Sequence, residues 1–327
     1  MKCTNKRLLV IFVLISCVFV LSGCNKKLWY DLPYDVNTQI SAYRIGEGQS
    51  SKQLTPFAKN ICVVNEDINA SSADLSLASA GCLFNRTTNE TMYAKAVNMS
   101  LHPASTTKVM TALLALKYGK LDDILTASEN VEIKESGAQL IGFKAGDKAT
   151  LEQVLYALLM YSGNDAGVMI AEYVSGSQDA FANLMNEEAK KLGATNTHFV
   201  NPHGLTDEAH LTTAYDLYLI FNEALKYEKF REIINTKSYQ SSYSSANGGS
   251  KKLDFENTNR FINGKAQVPS GITVVGGKTG TTDAAGACLL LYSIKQSSNN
   301  EYISVIMNSE SPESMYENTS SLLILEN

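Results

Sequence analysis

Apolar positions recur with two different periods along this chain. Short apolar runs at 61–64, 81–84 and 91–95, separated by Asn-, Ser- and Thr-rich turns, predict strands. Runs at 272–275, 287–294 and 302–307 predict three more, the last two joined by the polar segment 295–301. Between these groups the period lengthens to that of helices. Val109, Leu113 and Leu116 share one face of a helix opened by Ser105 and stopped near Gly119, where a glycine C-cap is expected. Thr150-Leu151-Glu152-Gln153 is a capping box launching a helix through Leu155, Leu158 and Leu159. Ser162-Gly163-Asn164 interrupts that helix, and a second runs through Val168, Ile170 and Ala171 to about Val174. Ser177 caps a third over 179–192, and Thr213 caps a fourth reaching Leu225 or beyond. Residues 241–250 read as a Ser/Asn/Gly loop, and 314–325 as a terminal helix. The fold class is α/β of the α+β kind: an antiparallel sheet built from both chain ends, flanking helices, and a helical insert over roughly 120–240.

The first 58 residues follow neither period. Lys2, Lys6 and Arg7 precede a 14-residue apolar stretch, Leu8 to Leu21. A bilayer span needs about 20 residues, so this stretch has the length of a signal-peptide core. Leu21-Ser22-Gly23-Cys24 resembles the lipobox of bacterial lipoproteins. The resemblance implies cleavage after residue 23 and a diacylglycerol on the Cys24 sulfur, with residues 24–58 as a polar tether to a folded body over 59–327. Two acyl chains hold a protein on a membrane where one is marginal. The expected location is the extracytoplasmic face of a bacterial membrane.

Composition narrows the function classes. The 327 residues are 44% apolar, ample for a large core, and the formal charge is −5. Loss of Lys2, Lys6 and Arg7 with residues 1–23 removes three positive charges and takes −5 to −8. An acidic body with scattered basic residues offers no surface for nucleic acid. Cys62, Cys82 and Cys288 each sit in an apolar run without metal-ligand spacing and read as buried free thiols in strands. A Cys62–Cys82 bridge stays open in an oxidising compartment. His198, His203 and His210 are spaced by five and seven, which is not a helical metal pair, so no metal and no cofactor is expected.

Three short motifs carry candidate chemistry. Ser105-Thr106-Thr107-Lys108 sets a serine and a lysine three apart, on one helical face, and no other lysine in the chain has a serine at that spacing. A serine becomes nucleophilic when a base takes its proton, and a lysine is such a base once burial or a neighbouring cation lowers its pKa. At a helix N-terminus, free N–H groups also favour developing negative charge. Ser162-Gly163-Asn164 puts a hydroxyl and an amide between two apolar helices, where burial demands partners. Ser162 suits a proton relay, and Asn164 a hydrogen bond to substrate or to Lys108. Lys278-Thr279-Gly280-Thr281 follows an apolar strand and two glycines, Gly276 and Gly277, that leave room for the helix carrying Ser105. An exposed strand edge there can bind an extended peptide. Lys278, Thr279 and Thr281 would hold a carboxylate.

In this order the three motifs match the set shared by class A β-lactamases and penicillin-binding proteins, with Gly163 where Ser-Asp-Asn has Asp. Longer segments narrow the match: His102-Pro103-Ala104-Ser105-Thr106-Thr107-Lys108-Val109-Met110-Thr111, Ser162-Gly163-Asn164-Asp165-Ala166, Phe199-Val200-Asn201-Pro202-His203-Gly204-Leu205, Thr212-Thr213-Ala214-Tyr215-Asp216, Asn257-Thr258-Asn259 and Gly277-Lys278-Thr279-Gly280. Over roughly residues 60–325 the chain resembles the low-molecular-mass penicillin-binding proteins, serine D-alanyl-D-alanine carboxypeptidases of the peptidase S11 family. The resemblance implies a β-lactamase/transpeptidase-like fold and an acyl-enzyme on Ser105, with Lys108 as base, Ser162 passing a proton to the leaving D-alanine, and Asn164 beside them. It further implies substrate contacts from Lys278, Thr279, Gly280 and Thr281, and an oxyanion hole from the N–H groups of Ser105 and Thr281. The implied partners are peptidoglycan stem peptides ending in D-Ala-D-Ala, and β-lactams as covalent inhibitors.

Two departures stand out. The arginine that relatives carry near the C-terminal helix is missing around 309–316, and the chain ends without their extra β-rich domain and amphipathic anchor, which an N-terminal lipid would replace. A class A-like β-lactamase needs a Glu-x-x-Leu-Asn loop to hold its deacylating water, and the chain has none. A non-catalytic peptide-binding lipoprotein would be expected to lose Ser105 or Lys108, and both are present.

Overall fold

The computed structural model describes residues 60–326; the signal, the lipobox and the tether expected within 1–59 lie outside the described residues. Five antiparallel strands form the main sheet in the order β2-β1-β9-β8-β7: β1 (Ala78–Asn85), β2 (Glu90–Lys95), β7 (Ile272–Thr282), β8 (Gly286–Lys295) and β9 (Glu301–Ser309). Strands from the two ends of the folded body meet where β1 pairs with β9. Side chains alternate across the pleat. Cys288, Leu290 and Tyr292 of β8 enter one apolar cluster, whereas Ala287, Leu289 and Leu291 enter another. The second cluster lies under the terminal helix (Pro312–Ile324), whose Met315, Leu322 and Leu323 cover that face. The first joins the sheet to the helices of the middle of the chain.

Chief among those is α1 (Lys108–Tyr118), entered through a single 3-10 turn over Ala104–Thr107. Its residues from Lys108 to Ala115 are all buried, which identifies a central helix rather than a surface one. Around it stand α2 (Leu151–Tyr156), α3 (Asn164–Ser175), α4 (Gln178–Lys191), α5 (Ala214–Ala224) and α6 (Glu228–Asn235). The expected caps are in place: Thr150 and Gln153 form a full capping box, and Ser177 and Thr213 each accept from a first-turn N–H. Gly119 ends α1 in an extended conformation, not a left-handed one, and glycine is required there because a Cβ would meet Leu151 and Tyr173 at 2.6 and 2.8 Å.

Four expectations need correction. Residues 61–64 form no strand: the segment's backbone bonds at Cys62 go to side chains, Cys62 N–H to Tyr218 Oη (2.8 Å) and Tyr215 Oη–H to the Cys62 carbonyl (2.9 Å). The presumed loop at 241–250 belongs to a hairpin of β5 (Ser238–Ser244) and β6 (Ser250–Glu256), whose inward Tyr243, Leu253 and Phe255 are spaced by serines and lysines that hid the period. With β3 (Ile124–Thr126) and β4 (Lys148–Thr150) this hairpin makes a second sheet, β3-β4-β5-β6, whose first two strands lie inside the 120–240 region expected to be helical. The strand expected to stop at Val275 runs on to Thr282, so Lys278-Thr279-Gly280-Thr281 lies within the edge strand β7.

Cys62, Cys82 and Cys288 are buried and free. Burial pushes the Cys62 and Cys288 thiols up to about 11, which leaves them inert at neutral pH. Cys82 and Cys288 lie in strands, and Cys62 does not.

Candidate active site

All three motifs line or underlie one cleft of about 570 Å³, walled by Ser105, Ser162, Asn164, Thr258, Thr279, Gly280 and Thr281 among others. Each arrives by a different local device. Ser105 sits in the 3-10 turn ahead of α1, where helical geometry offers its N–H no carbonyl. Ala104, the residue before it, is held at φ +48°. Ser162 ends a π-type turn over Ala157–Tyr161 and is itself left-handed, at φ +71°. Non-glycine residues in that conformation are strained, and such strain concentrates where a side chain must be aimed. Asn164 then opens α3.

Lys108 is fully buried, and its Nζ has three neighbours: Ser105 Oγ at 2.8 Å, Asn164 Oδ1 at 2.6 Å and the His203 carbonyl at 2.6 Å. Burial, reinforced by the charge of Lys278, holds its pKa well below the lysine range. A neutral amine has two protons and one lone pair. The Asn164 oxygen and the His203 carbonyl can only accept, so they take the two protons. The lone pair is left facing the one neighbour able to donate, the Ser105 hydroxyl. The socket therefore aims an amine lone pair at a serine hydroxyl, the arrangement that general-base activation of a nucleophile requires.

Lys278 is buried too, and burial brings its pKa down to about 7. Its Nζ donates to Ser162 Oγ (3.0 Å) and to the Thr279 carbonyl (2.7 Å). The Thr279 and Thr258 hydroxyls lie 3.0 Å apart at the cleft wall. Thr281 opens toward the cleft with its side chain exposed.

The spacing role expected of Gly276 and Gly277 belongs to Gly280. A Cβ on Gly276 would meet Ile234 of α6, and one on Gly277 would meet the Leu290 carbonyl at 2.2 Å. On Gly280 it would stand 2.8 and 2.9 Å from the backbone nitrogens of Ser105 and Thr106. Strand and nucleophile thus touch through main chain at residue 280.

Sequence reasoning missed several supports. Asp165, buried beside Asn164, accepts from the N–H groups of Ile141, Gly142, Phe143 and Ala166, and Asn164 N–H donates to the Gln139 carbonyl. These bonds fasten segment 139–143 along the cleft. His203 contributes its carbonyl and not its ring, which burial keeps neutral with a pKa of about 3. Asn201 shapes the loop that presents it, accepting from Gly204 N–H (2.7 Å) and donating to the Leu205 carbonyl (3.0 Å). No local pattern marks a carbonyl as functional, although these residues lie in segments that carry the resemblance. The described residues hold no cluster of His, Cys, Asp or Glu suited to a metal.

Comparison with known proteins follows the same lines. The family model for peptidase S11, D-alanyl-D-alanine carboxypeptidase, matches residues 67–311. The D-alanyl-D-alanine carboxypeptidase DacF of Bacillus subtilis is 38% identical over 240 residues, covering 72% of this chain and 58% of its own length. DacC of Escherichia coli is 32% identical over 258 residues, covering 76% and 60%. The match thus spans about three fifths of these two curated relatives. The crystal structure of the Streptomyces K15 DD-transpeptidase superposes with a TM-score of 0.70 at 28% identity, covering 76% of this chain and 96% of that one.

Proposed function

Since the chain belongs to the peptidase S11 family of D-alanyl-D-alanine carboxypeptidases, we propose that it cleaves the terminal D-alanine from peptidoglycan stem peptides through an acyl-enzyme on Ser105. The observation that carries this reading is the three-partner socket of Lys108.

Ser105 Oγ attacks the carbonyl between the two D-alanines as its proton passes to Lys108 Nζ. Negative charge gathers on the substrate oxygen, and the N–H groups of Ser105 and Thr281 are its hydrogen-bond donors. The tetrahedral intermediate collapses by expelling the D-alanine amine, which takes, by way of Ser162, the proton that Lys108 gained, leaving Lys108 neutral again. Lys278 charges that serine's surroundings and, with Thr279 and Thr281, draws the terminal carboxylate. Arg260 pairs with Glu313 at 2.9 Å and is not among the residues that line the cleft. Water then attacks the ester, Lys108 serving again as base. A β-lactam acylates the same oxygen but keeps its leaving amine tethered, so its ester persists.

The proposal extends to the membrane: a lipid on Cys24 would hold the enzyme at the extracytoplasmic face, within reach of peptidoglycan. The lipobox-like Leu21-Ser22-Gly23-Cys24 supports it.

The test is covalent labelling with a fluorescent penicillin, together with D-alanine release from a pentapeptide ending in D-Ala-D-Ala. Wild-type protein should label and release D-alanine, and Ser105→Ala should do neither. Equal labelling of the two proteins would sink the assignment.

A further inference from the structure

Beneath the nucleophile lies a buried polar chain that the reaction above does not use. Thr107 Oγ1 donates to the Ala104 carbonyl at 2.8 Å, and His210 Nε2 lies 2.8 Å from the same hydroxyl oxygen. On the far side of the ring, the Val200 N–H donates to His210 Nδ1 at 3.0 Å. Thr107 is fully buried and His210 is 1% exposed.

The proton count leaves one arrangement. A hydroxyl has one hydrogen, and the Ala104 carbonyl, which can only accept, takes it. The Thr107 oxygen must then accept from His210. Because Val200 N–H occupies Nδ1, the imidazole proton is on Nε2. The series Val200 N–H, imidazole, Thr107 hydroxyl, Ala104 carbonyl is complete only with a neutral ring.

Both ends of that series bear on Lys108. Ala104 immediately precedes Ser105 and is held at φ +48°, a conformation that alanine does not keep unaided. Val200 belongs to the segment that presents the His203 carbonyl to Lys108. Gly204 closes the two together, for a Cβ there would fall 1.9 Å from the Ala104 oxygen. His210 therefore bridges the turn carrying the nucleophile and the loop carrying one acceptor of the base.

We propose that His210, acting through Thr107, is a positioning residue for Ser105. It holds the strained Ala104 carbonyl, and so fixes the distance and direction from Ser105 Oγ to Lys108 Nζ. This rests on Ser105 being the nucleophile.

Four variants test it: His210→Ala and Thr107→Val, which break the series, and His210→Gln and Thr107→Ser, which keep a donor and an acceptor or a hydroxyl. The broken pair should lose about 10- to 100-fold in penicillin acylation rate and in kcat for D-alanine release, with KM changed less than about 2-fold. The conservative pair should recover most of the rate. A folded His210→Ala or Thr107→Val protein that acylates at the wild-type rate overturns the proposal, as does a loss confined to KM. Nitrogen-15 spectra of the histidine-labelled protein read the same contact without any activity. They should find the His210 proton on Nε2 at pH 7, with a resonance that moves in Thr107→Val. A proton on Nδ1, or an unmoved resonance, overturns the proposal even if the protein proves inert to penicillin, whereas a correct tautomer in an inert protein fails the nucleophile assignment alone.

Discussion

Gly280 and Ser105 touch through their backbones: a Cβ built on Gly280 would lie 2.8 Å from the Ser105 nitrogen, closer than real side chains come. The nearest atoms are main chain, so rotation of a side chain gives no relief, and any larger residue must push strand β7 and the nucleophile's turn apart. Gly280→Ala is expected to slow penicillin acylation by ~100-fold or more, since near-attack geometry tolerates little displacement. The protein should remain folded, at a cost of ~1–3 kcal/mol for overpacking. Labelling rates and denaturant melts measure the two effects, and an unchanged labelling rate would refute the contact's importance.

Asn164 and Lys108 lie 2.6 Å apart, with an uncharged oxygen facing the amine. Replacing that amide by a carboxylate, Asn164→Asp, keeps the shape and adds an anion that favours the ammonium form. The base is active only when neutral. Acylation by the variant should therefore fall at pH 7 and recover as pH rises, the acid limb of the profile moving up by ~1–3 units. An acid limb at the wild-type position would argue against Lys108 as the base.

Lys278 is expected to couple stability to pH. Its pKa is about 7 in the folded protein against an ordinary 10.5, so between those values the unfolded chain binds the extra proton. Stability from this group thus rises with pH through that window, by about 1.4 kcal/mol per unit at most. Below pH 7 the penalty of the buried charge is constant. Lys278→Met removes the slope and leaves Ser162 Oγ and the Thr279 carbonyl unpaired, which is a pH-independent loss. From pH 7 to 9 the wild type should gain ~2 kcal/mol on the variant in urea unfolding. Parallel pH curves would mean that Lys278 has no such depressed pKa.

Cys24→Ser is expected to move the protein from the membrane to the soluble fraction of cells, without changing penicillin labelling of the folded body. Membrane retention of the variant would contradict lipid anchoring through that sulfur.

Much of the architecture was legible because it depends on neighbours in the chain. The capping residues Thr150, Ser177 and Thr213 act over three positions, and β1, β8 and β9 show as short, nearly continuous apolar runs buried on both faces. The hairpin over 238–256 was not legible, because serine and lysine at alternate positions weaken the apolar signal and its inward rings are matched only across strands. The same holds for 61–64, an apolar run whose backbone is held at Cys62 by the hydroxyls of Tyr215 and Tyr218, far along the chain, and not by strand pairing.

The site divides along the same line. Residue types and spacing in the chain mark Ser105, Lys108, Ser162, Asn164 and Lys278 as candidates, because the proposed nucleophile, base and relay require those chemical groups. What makes Lys108 a base is contributed from a distance: Asn164 lies 56 residues on, the His203 carbonyl 95, and Lys278 reaches Ser162 across 116. Desolvation, the direction of a lone pair and the closeness of Gly280 to Ser105 are properties of space and not of chain order. Folding alone brings those groups within hydrogen-bond reach, and there an ordinary lysine becomes able to take a proton from serine.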